Sequence, residues 1–255
     1  MMRMACASRH WATLQYLAAL LLLCLVAGIY DTAGHGIPAQ FPIAVAAWVL
    51  LLVSLSCGPG EYRVPTMTLV LVASAFECVG SLLWGAYTYR YHNLPAYVPP
   101  GHGLMYLAAL CVADLPFVRR HQQPVVYAVC LVSACWACHG LQARPWADIF
   151  GALCWLLLLI FLRLGRDPLL FAVTFSLTMA LEFYGTAMGT WHWAPVLPGT
   201  GLSAGNPPSA IGAGYCVLDA VALCMSAQIG QALARLSRRR TRQLTGAGPL
   251  PSGPS

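Results

Sequence analysis

The chain has no lysine and little charge of either sign. Only 9% of its 255 residues are charged, all 14 basic residues are arginine, and 59% of the residues are hydrophobic. Because a soluble domain covers itself largely with charged and polar side chains, this composition excludes a large soluble domain on either side of a membrane. Any chemistry must therefore take place within the membrane or in short loops.

Long apolar runs recur along the whole sequence. Each is long enough to cross a hydrocarbon core of roughly 30 Å. They predict an all-α polytopic membrane protein with about eight transmembrane helices. The predicted spans lie at about residues 12–29, 41–57, 66–86, 99–117, 125–140, 147–162, 169–189 and 208–232.

The arginines predict how these spans are oriented. With the N-terminus inside, only Arg90 and Arg144 fall in outer loops, and the other arginines fall in cytoplasmic segments. This bias follows the positive-inside rule and predicts a multi-pass protein of the bacterial inner (plasma) membrane with both termini cytoplasmic. We expect the arginine-rich tail after Leu236 to lie beside anionic lipid and not to bind nucleic acid.

A motif built around a glutamate occurs twice inside apolar sequence. A carboxylate in a membrane helix is costly and usually marks a functional site. After each copy come a polar loop and a Pro-Pro pair, typical of a first helical turn. Asn206 is placed to cap the second of these turns. The copies are Glu77-x-x-Gly80-x-x-x-x-Gly85-x-Tyr87-x-Tyr89, before Pro99-Pro100, and Glu182-x-x-Gly185-x-x-x-Gly189-x-Trp191-x-Trp193, before Pro207-Pro208.

The repeat divides the chain into two parallel halves. The copies fall on the third and seventh predicted spans, so both have the same orientation in the membrane. We expect the working groups at the seam between the halves. The predicted boundaries are 1–117 for the first four-helix half, 118–124 for a cytoplasmic linker, 125–236 for the second half and 237–255 for a basic, then disordered, cytoplasmic tail.

Four titratable residues are candidates for catalysis. Small residues share a helical face with each glutamate, which predicts that Glu77 and Glu182 face the interior of the bundle and perform acid/base chemistry. His102, at the start of the fourth span, is a candidate proton shuttle. Asp219 lies in the middle of the eighth span and is the fourth candidate. The alternative for the glutamates is a hydrogen-bonded pair that only fixes helix packing.

The aromatic residues after each glutamate are candidates for the wall of an apolar binding site. Aromatic faces also stabilise a carbocation. The alternative is that these rings are anchors at the membrane interface. The substrate-binding candidates are Trp84, Tyr87, Tyr89, Trp191, Trp193, His192 and Asn206.

The sequence favours chemistry without a cofactor, because nucleotide-binding motifs are absent. Two alternatives remain. One is a divalent metal held by His102, His192, Glu77 and Glu182, although no tight ligand spacing supports it. The other is haem attached at Cys135, Cys138 and His139, which match the C-x-x-C-H pattern.

The stretch Glu-x-x-Gly-x-x-x-Gly-x-aromatic-x-aromatic, at Glu182 and again at Glu77, resembles a signature of the carotenoid hydratase family of bacterial and archaeal membrane proteins. Members of that family add water to the end of a long polyene. The resemblance covers about a dozen residues around each glutamate and implies an isoprenoid or other apolar lipid as substrate.

The leading hypothesis is an integral membrane enzyme that performs acid/base chemistry on an apolar, isoprenoid-like lipid, as a hydratase or isomerase does. The alternatives are a proton-coupled transporter or lipid-binding carrier that uses the same glutamates, and a non-catalytic subunit of a membrane complex. In each case the expected partner is a membrane lipid or an apolar small molecule. The oligomeric state does not follow from the sequence.

Overall fold

The computed structural model describes residues 2–34, 36–143 and 145–245. Arg144 and the last part of the predicted disordered tail, from residue 246, lie outside the described residues. Nearly all regular structure in the described residues is helical. The α-helices are α1 (Met2–Thr32), α2 (Gln40–Cys57), α3 (Arg63–Glu77), α4 (Val98–Ala113), α5 (Pro116–Arg120), α6 (Gln122–Leu141), α7 (Ile149–Leu164), α8 (Pro168–Ala187) and α9 (Gly212–Thr245).

Six helical stretches of the described chain are long and apolar enough to cross a membrane, which indicates a polytopic membrane protein. Two further apolar helices, α4 and α7, have 16 residues each. Large apolar side chains such as Leu21 and Leu83 are exposed along these helices, as lipid contact requires. The six stretches are Thr13–Tyr30, Ile37–Cys57, Gly60–Trp84, Gln122–Leu141, Pro168–Ala187 and Gly212–Ala232.

Four helices form the centre of the bundle. Helix α3 packs against α4 and α9, and α8 packs against the same two helices, so the four close into a ring with α3 opposite α8. Glycines allow close contact in this ring. A Cβ atom at Gly103 of α4 would lie 2.9 Å from Val70 of α3, and one at Gly212 of α9 would lie 2.9 Å from Thr178 of α8. Such small residues let membrane helices gain dispersion contacts that lipid cannot offer.

The remaining long helices surround this ring unequally. Helix α2 packs against α4, and α7 packs against α9 in the equivalent way. Helix α6 packs against α7 and α8, whereas its counterpart α1 packs against α2 and α4. Two tyrosines hold α1 there, because Tyr16 donates a hydrogen bond to the Leu104 carbonyl (2.5 Å) and Tyr184 of α8 donates to the Leu25 carbonyl (3.0 Å).

Two short strands, not predicted from the sequence, join the halves at one end of the bundle. Strand β1 (Tyr87–Tyr89) and strand β2 (Trp191–Trp193) pair antiparallel. The central residues Thr88 and His192 lie opposite each other. The first residue of each strand lies opposite the last residue of its partner. This is the self-complementary pairing that a twofold axis produces. The axis passes between Thr88 and His192 and relates the two copies of the glutamate motif.

A π-helix accounts for the extra residue in the first copy of the motif. Residues Cys78–Trp84 continue α3 as a π-helix, whereas α8 remains an α-helix through the second copy. A π-helical turn holds more residues than an α-helical turn, so the additional residue is absorbed without displacing the strand beyond it. Both segments then end at a glycine in the left-handed region, Gly85 with φ 74° and Gly189 with φ 65°.

Polar side chains fasten the loops that lie beyond the strands. Asp148, just before α7, accepts hydrogen bonds from the backbone N–H groups of Gly151 (2.9 Å), Gly205 (2.9 Å) and Ser209 (2.6 Å). In the first half, Asn93 donates to the Gln40 side chain at the start of α2 (2.8 Å). The start of α2 therefore anchors the loop that leads into α4, and the start of α7 anchors the loop that leads into α9.

The start of α9 differs from the sequence prediction. Pro99 and Pro100 lie in the first turn of α4, as predicted, but α9 begins at Gly212 and not at Pro207-Pro208. Asn206 therefore does not cap this helix. Its side chain accepts a hydrogen bond from the Trp193 backbone N–H (3.0 Å), which holds the loop against β2.

Candidate active site

Glu77 lies at the end of α3 and is 7% exposed. Its Oε2 accepts hydrogen bonds from the hydroxyls of Tyr87 (2.7 Å) and Tyr89 (2.8 Å), and its Oε1 lies 2.9 Å from His102 Nε2. A buried carboxylate is tolerated only when its oxygens are paired in this way. The aromatic pair of the first motif therefore serves its own glutamate.

Glu182 lies on α8 and is 3% exposed. Its Oε2 accepts hydrogen bonds from the indole N–H groups of Trp191 (2.9 Å) and Trp193 (3.1 Å), and its Oε1 accepts one from the Tyr215 hydroxyl (3.1 Å). Each glutamate thus has two aromatic donors on Oε2 from its own strand. The two sites are chemically parallel but use phenols in one half and indoles in the other.

The tyrosines of β1 remain protonated donors. Burial raises the pKa of the Tyr87 phenol above its usual value, and the Glu77 carboxylate raises it further. The same two causes raise the pKa of Tyr89 well above its usual value. Ionising either phenol would place a second negative charge beside Glu77, which the buried setting disfavours.

A glycine three residues after each glutamate gives the aromatic rings room. A Cβ atom at Gly80 would lie 3.0 Å from the Tyr87 ring, and one at Gly185 would overlap the Trp191 ring. The rings therefore lie close against the helix that carries the carboxylate. This explains the Glu-x-x-Gly spacing: the glutamate accepts, the first glycine admits the ring, and the second glycine turns the chain back toward the helix.

His102 and Tyr215 connect the two glutamates. Their rings stack with centroids 5.2 Å apart and an interplanar angle of 24°. His102 contacts Glu77 and Tyr215 contacts Glu182, so two hydrogen-bonded pairs joined by a ring stack form one polar chain across the seam. Tyr215 was not predicted from the sequence, although a signal for it exists: Gly214-Tyr215 near the start of α9 corresponds to Gly101-His102 near the start of α4.

An apolar cavity of about 410 Å³ lies beside this chain. Both glutamates, His102 and Tyr215 line it, and most of the other lining residues are apolar or aromatic. Its size and character suit a small-molecule site, which is typically a mostly apolar cleft with a few placed polar groups. Of the predicted substrate-binding residues, five line it: Trp84, Tyr87, Tyr89, Trp191 and Trp193.

The structure places the other predicted site residues outside the cavity. His192 is exposed on the opposite face of β2, with its Nδ1 3.2 Å from Asn206 Nδ2. Asn206 holds the loop. Asp219 is buried one turn beyond Tyr215 on α9, where it accepts a hydrogen bond from the Thr174 hydroxyl (2.9 Å). Trp84, by contrast, lines the cavity, and its indole N–H donates a hydrogen bond to the Pro198 carbonyl (2.8 Å).

The four residues considered for a divalent metal do not converge. Across the described chain, no three side chains of His, Cys, Asp or Glu come together as a metal site. His192 is turned away from Glu77 and Glu182, so the four-residue set considered from the sequence is not assembled. Cys135, Cys138 and His139 lie on one continuous helix, α6, with both thiols exposed and apart from the cavity.

No protein-family model matches this chain, and neither a curated protein nor a solved structure is detectably similar to it. The geometry of the site is therefore the main guide to the function. It offers two carboxyl groups with unequal partners, an imidazole between them and an apolar space beside all three. These groups are suited to giving a proton to an apolar molecule and taking one away.

Proposed function

We propose that this protein is an integral membrane enzyme that performs acid/base chemistry on an apolar, isoprenoid-like lipid, as a hydratase or isomerase does. The observation that carries the proposal is that Glu77 and Glu182 line one apolar cavity, linked by His102 and Tyr215. A pair of titratable groups in different environments is the usual basis for separate acid and base roles. The resemblance of the motif to carotenoid hydratases supports a polyene chain as the substrate.

The two glutamates are assigned different roles because their partners differ. Oε2 of Glu182 faces two indole N–H groups, which only donate, whereas Oε1 faces the Tyr215 hydroxyl, which also accepts. A proton on Glu182 therefore resides on Oε1, where it is available as the general acid. Glu77 lies against the His102 imidazole, whose ring nitrogens can accept or donate a proton, so this pair is the general base.

The reaction needs no oxidant or reductant. In a hydration, Glu182 gives its proton to one carbon of a double bond, and the adjacent carbon becomes cationic. The Glu77–His102 pair removes a proton from water, whose oxygen bonds to the cationic carbon, so H and OH are added in total. The proton taken from water then replaces the one that Glu182 gave away. In an isomerisation, the same pair removes a proton from a neighbouring carbon instead. The faces of Trp191 and Tyr87 line the cavity and stabilise the cation.

The proposal includes an eight-span topology in the bacterial inner membrane. The eight long helices of the described chain overlap the eight predicted spans. Helices α4 and α7 are about 24 Å long at 1.5 Å per residue. To cross the membrane they require a locally thinner bilayer or flanking turns. Cytoplasmic termini agree with the bias of the arginines. In this orientation the strands and the cavity lie toward the outer surface.

Replacing the glutamates tests the proposal. Mass spectrometry of lipids extracted with the purified protein identifies the ligand, which is then used as substrate in nanodiscs. We expect Glu77→Gln and Glu182→Gln each to lower conversion by about 10²-fold or more, and the double variant to abolish it. Glu61→Gln is the matched control, because Glu61 is the third glutamate of the chain, is exposed and does not line the cavity.

Three outcomes would count against the enzyme. Full conversion by the double variant would exclude acid/base roles for these residues. Recovery of a chemically unchanged ligand, together with uptake into vesicles that depends on a pH gradient, would favour the carrier. Co-purification with partner proteins and no bound lipid would favour the non-catalytic subunit.

A further inference from the structure

The cavity has two arms that repeat the symmetry of the halves. Residues with matching spacing line it from the two inner helices of each half. The lining residues of α4 follow one another at the same intervals as those of α9. On α3 and α8, residues are paired when they lie the same number of positions from Glu77 and from Glu182. The pairs are Val98 with Ile211, Gly101 with Gly214, Met105 with Leu218, Phe76 with Leu181 and Val79 with Tyr184. We call the part of the cavity lined by α4 and α8 the first arm and the part lined by α3 and α9 the second arm.

Helix α1 closes the first arm. Leu20, Cys24 and Ala27 of α1 line the cavity together with the residues of α4 and α8. Tyr184 fixes the helix in place through its hydrogen bond to the Leu25 carbonyl, and its ring occupies the space beside Gly28. Helix α1 therefore covers this arm.

The second arm is open on the side of the bundle. Phe76 and Val79 of α3 line the cavity and are nonetheless 53% and 54% exposed. Their counterparts in the first arm, Leu181 and Tyr184, lie under α1 and are less exposed. The difference follows from the helix packing described above, because α6, the counterpart of α1, packs against α7 and α8 and does not cover α3. The mouth between α3 and α9 therefore faces the lipid.

The lining also limits the charge of the molecule that enters. Two carboxyl groups lie at the centre, and no arginine is among the lining residues in the described part of the chain. An anionic head group would be repelled by the Glu77 carboxylate and would find no arginine to pair with in that lining. The shape and charge fit a neutral, elongated molecule.

We propose that a neutral, long-chain apolar lipid enters sideways from the membrane between α3 and α9, passes beneath the strands, and places its leading end in the arm closed by α1. This inference rests on the proposed function for the identity of the reacting segment, which lies between Glu77 and Glu182. The closed arm sets how far the chain reaches past the glutamates and thereby selects the bond that is positioned for reaction.

Two glycines offer a matched test. A Cβ atom at Gly214 would meet nothing within 4 Å, and the same holds for Gly101. Each lies in a helix, where a larger residue is favoured over glycine. Gly214→Leu therefore places a side chain in the open arm and Gly101→Leu places one in the closed arm, each starting from a position with free space around its Cβ atom. Gly230→Leu is the control, because Gly230 is exposed on α9 and also has open space around it.

The measurement is photolabelling of the purified protein in nanodiscs. The probe is a neutral long-chain isoprenoid alcohol with a diazirine at its tail, and the labelled peptides are mapped by mass spectrometry. We expect Gly214→Leu to lower labelling of α1 by about tenfold or more. Gly101→Leu should retain labelling of α3 and α9 but lose that of α1, and Gly230→Leu should match the unmodified protein.

A second variant, at a different position, controls for misfolding of Gly214→Leu. Val79→Trp fills the mouth from an exposed position and should also lower labelling of α1, while size-exclusion chromatography reports on the fold. Labelling of α1 that persists in both Gly214→Leu and Val79→Trp would overturn the proposal, and so would loss of all labelling in Gly101→Leu alone. Labelling needs no turnover, so a Glu182→Gln protein that labels normally and still converts its substrate would contradict the catalytic assignment and leave the entry route standing.

Discussion

A glycine three residues after each glutamate decides how closely an aromatic ring approaches the helix. Gly185 leaves room for Trp191, and the ring then reaches the carboxylate of Glu182 with its N–H group. Gly80 does the same for Tyr87 and Glu77 with a wider gap. The carboxylate and the ring were both visible in the sequence. The sequence did not show that each ring donates a hydrogen bond to the carboxylate of its own half. Donor and acceptor are joined by a turn, and the sequence does not specify the path of that turn.

The wider gap at Gly80 yields a prediction at the residue scale. Gly185→Ala should destabilise the protein by about 1–3 kcal/mol, because the methyl group forces Trp191 away from Glu182. Gly80→Ala should cost less, since its Cβ atom would lie 3.0 Å from the edge of the Tyr87 ring and alanine gains about 0.5–1 kcal/mol over glycine in a helix. Thermal unfolding in detergent measures both. Equal midpoints for the two variants would contradict this account.

Tyr215 is a residue that the sequence did not reveal. His102 was a candidate because an imidazole at the start of a span can act as a proton shuttle, whereas a tyrosine in an apolar helix gives no such signal. The structure gives both residues the same role, one hydrogen bond to a glutamate and a stacked ring at the seam. Asp219 was selected for its charge, yet it bonds to Thr174 and does not line the cavity.

At the scale of elements, the π-helix resolves the unequal spacing of the two motifs. The first copy has one more residue between its glycines than the second, and the sequence alone left that asymmetry without a cause. The structure shows that Cys78–Trp84 absorbs it, so both aromatic pairs reach their glutamates. The two strands were also absent from the prediction, because three residues are too few to show the alternation that identifies a strand.

Shortening the π-helix tests this explanation. Deleting Leu83, which is 80% exposed, gives the first copy the same spacing as the second. We expect a regular α-helix and a fall in the unfolding midpoint of no more than a few degrees, because Glu77 and its aromatic pair keep their relation. Deleting Phe183 from α8 is the control. It rotates Glu182 away from Gly185 by about 100°, so that variant should not fold. If both deletions proved equally damaging, the π-helix would have another role.

At the scale of the whole molecule, the two halves are interlocked. The central ring takes α3 and α4 from one half and α8 and α9 from the other, and the strands pair across the seam. The predicted boundaries at 117 and 125 fall at the short helix α5 and at the start of α6, where the chain passes from one half to the other. The halves remain a prediction as units of evolution, but each lacks half of the core when it is alone.

Splitting the chain tests this interdependence. Fragments 1–121 and 122–255, expressed together, should co-purify as one complex, because the contacts of α3 with α9 and of β1 with β2 need no covalent link. Either fragment alone should aggregate, since its inner helices expose buried polar groups such as Glu77 or Glu182. The check is size-exclusion chromatography in detergent. A single fragment that runs as a monodisperse species would show that the halves fold independently.

The sequence by itself determined the membrane character and the approximate positions of the long helices. It also singled out the two glutamates and their aromatic neighbours as candidate site residues. These follow from composition, apolar length and the cost of a carboxylate in a membrane, which are local properties of the chain. Only the tertiary structure decided that the rings donate to the glutamates, that Tyr215 completes the polar chain and that α1 covers one arm of the cavity. Those contacts join residues far apart in the sequence, and their geometry depends on how whole helices pack, which no local pattern encodes.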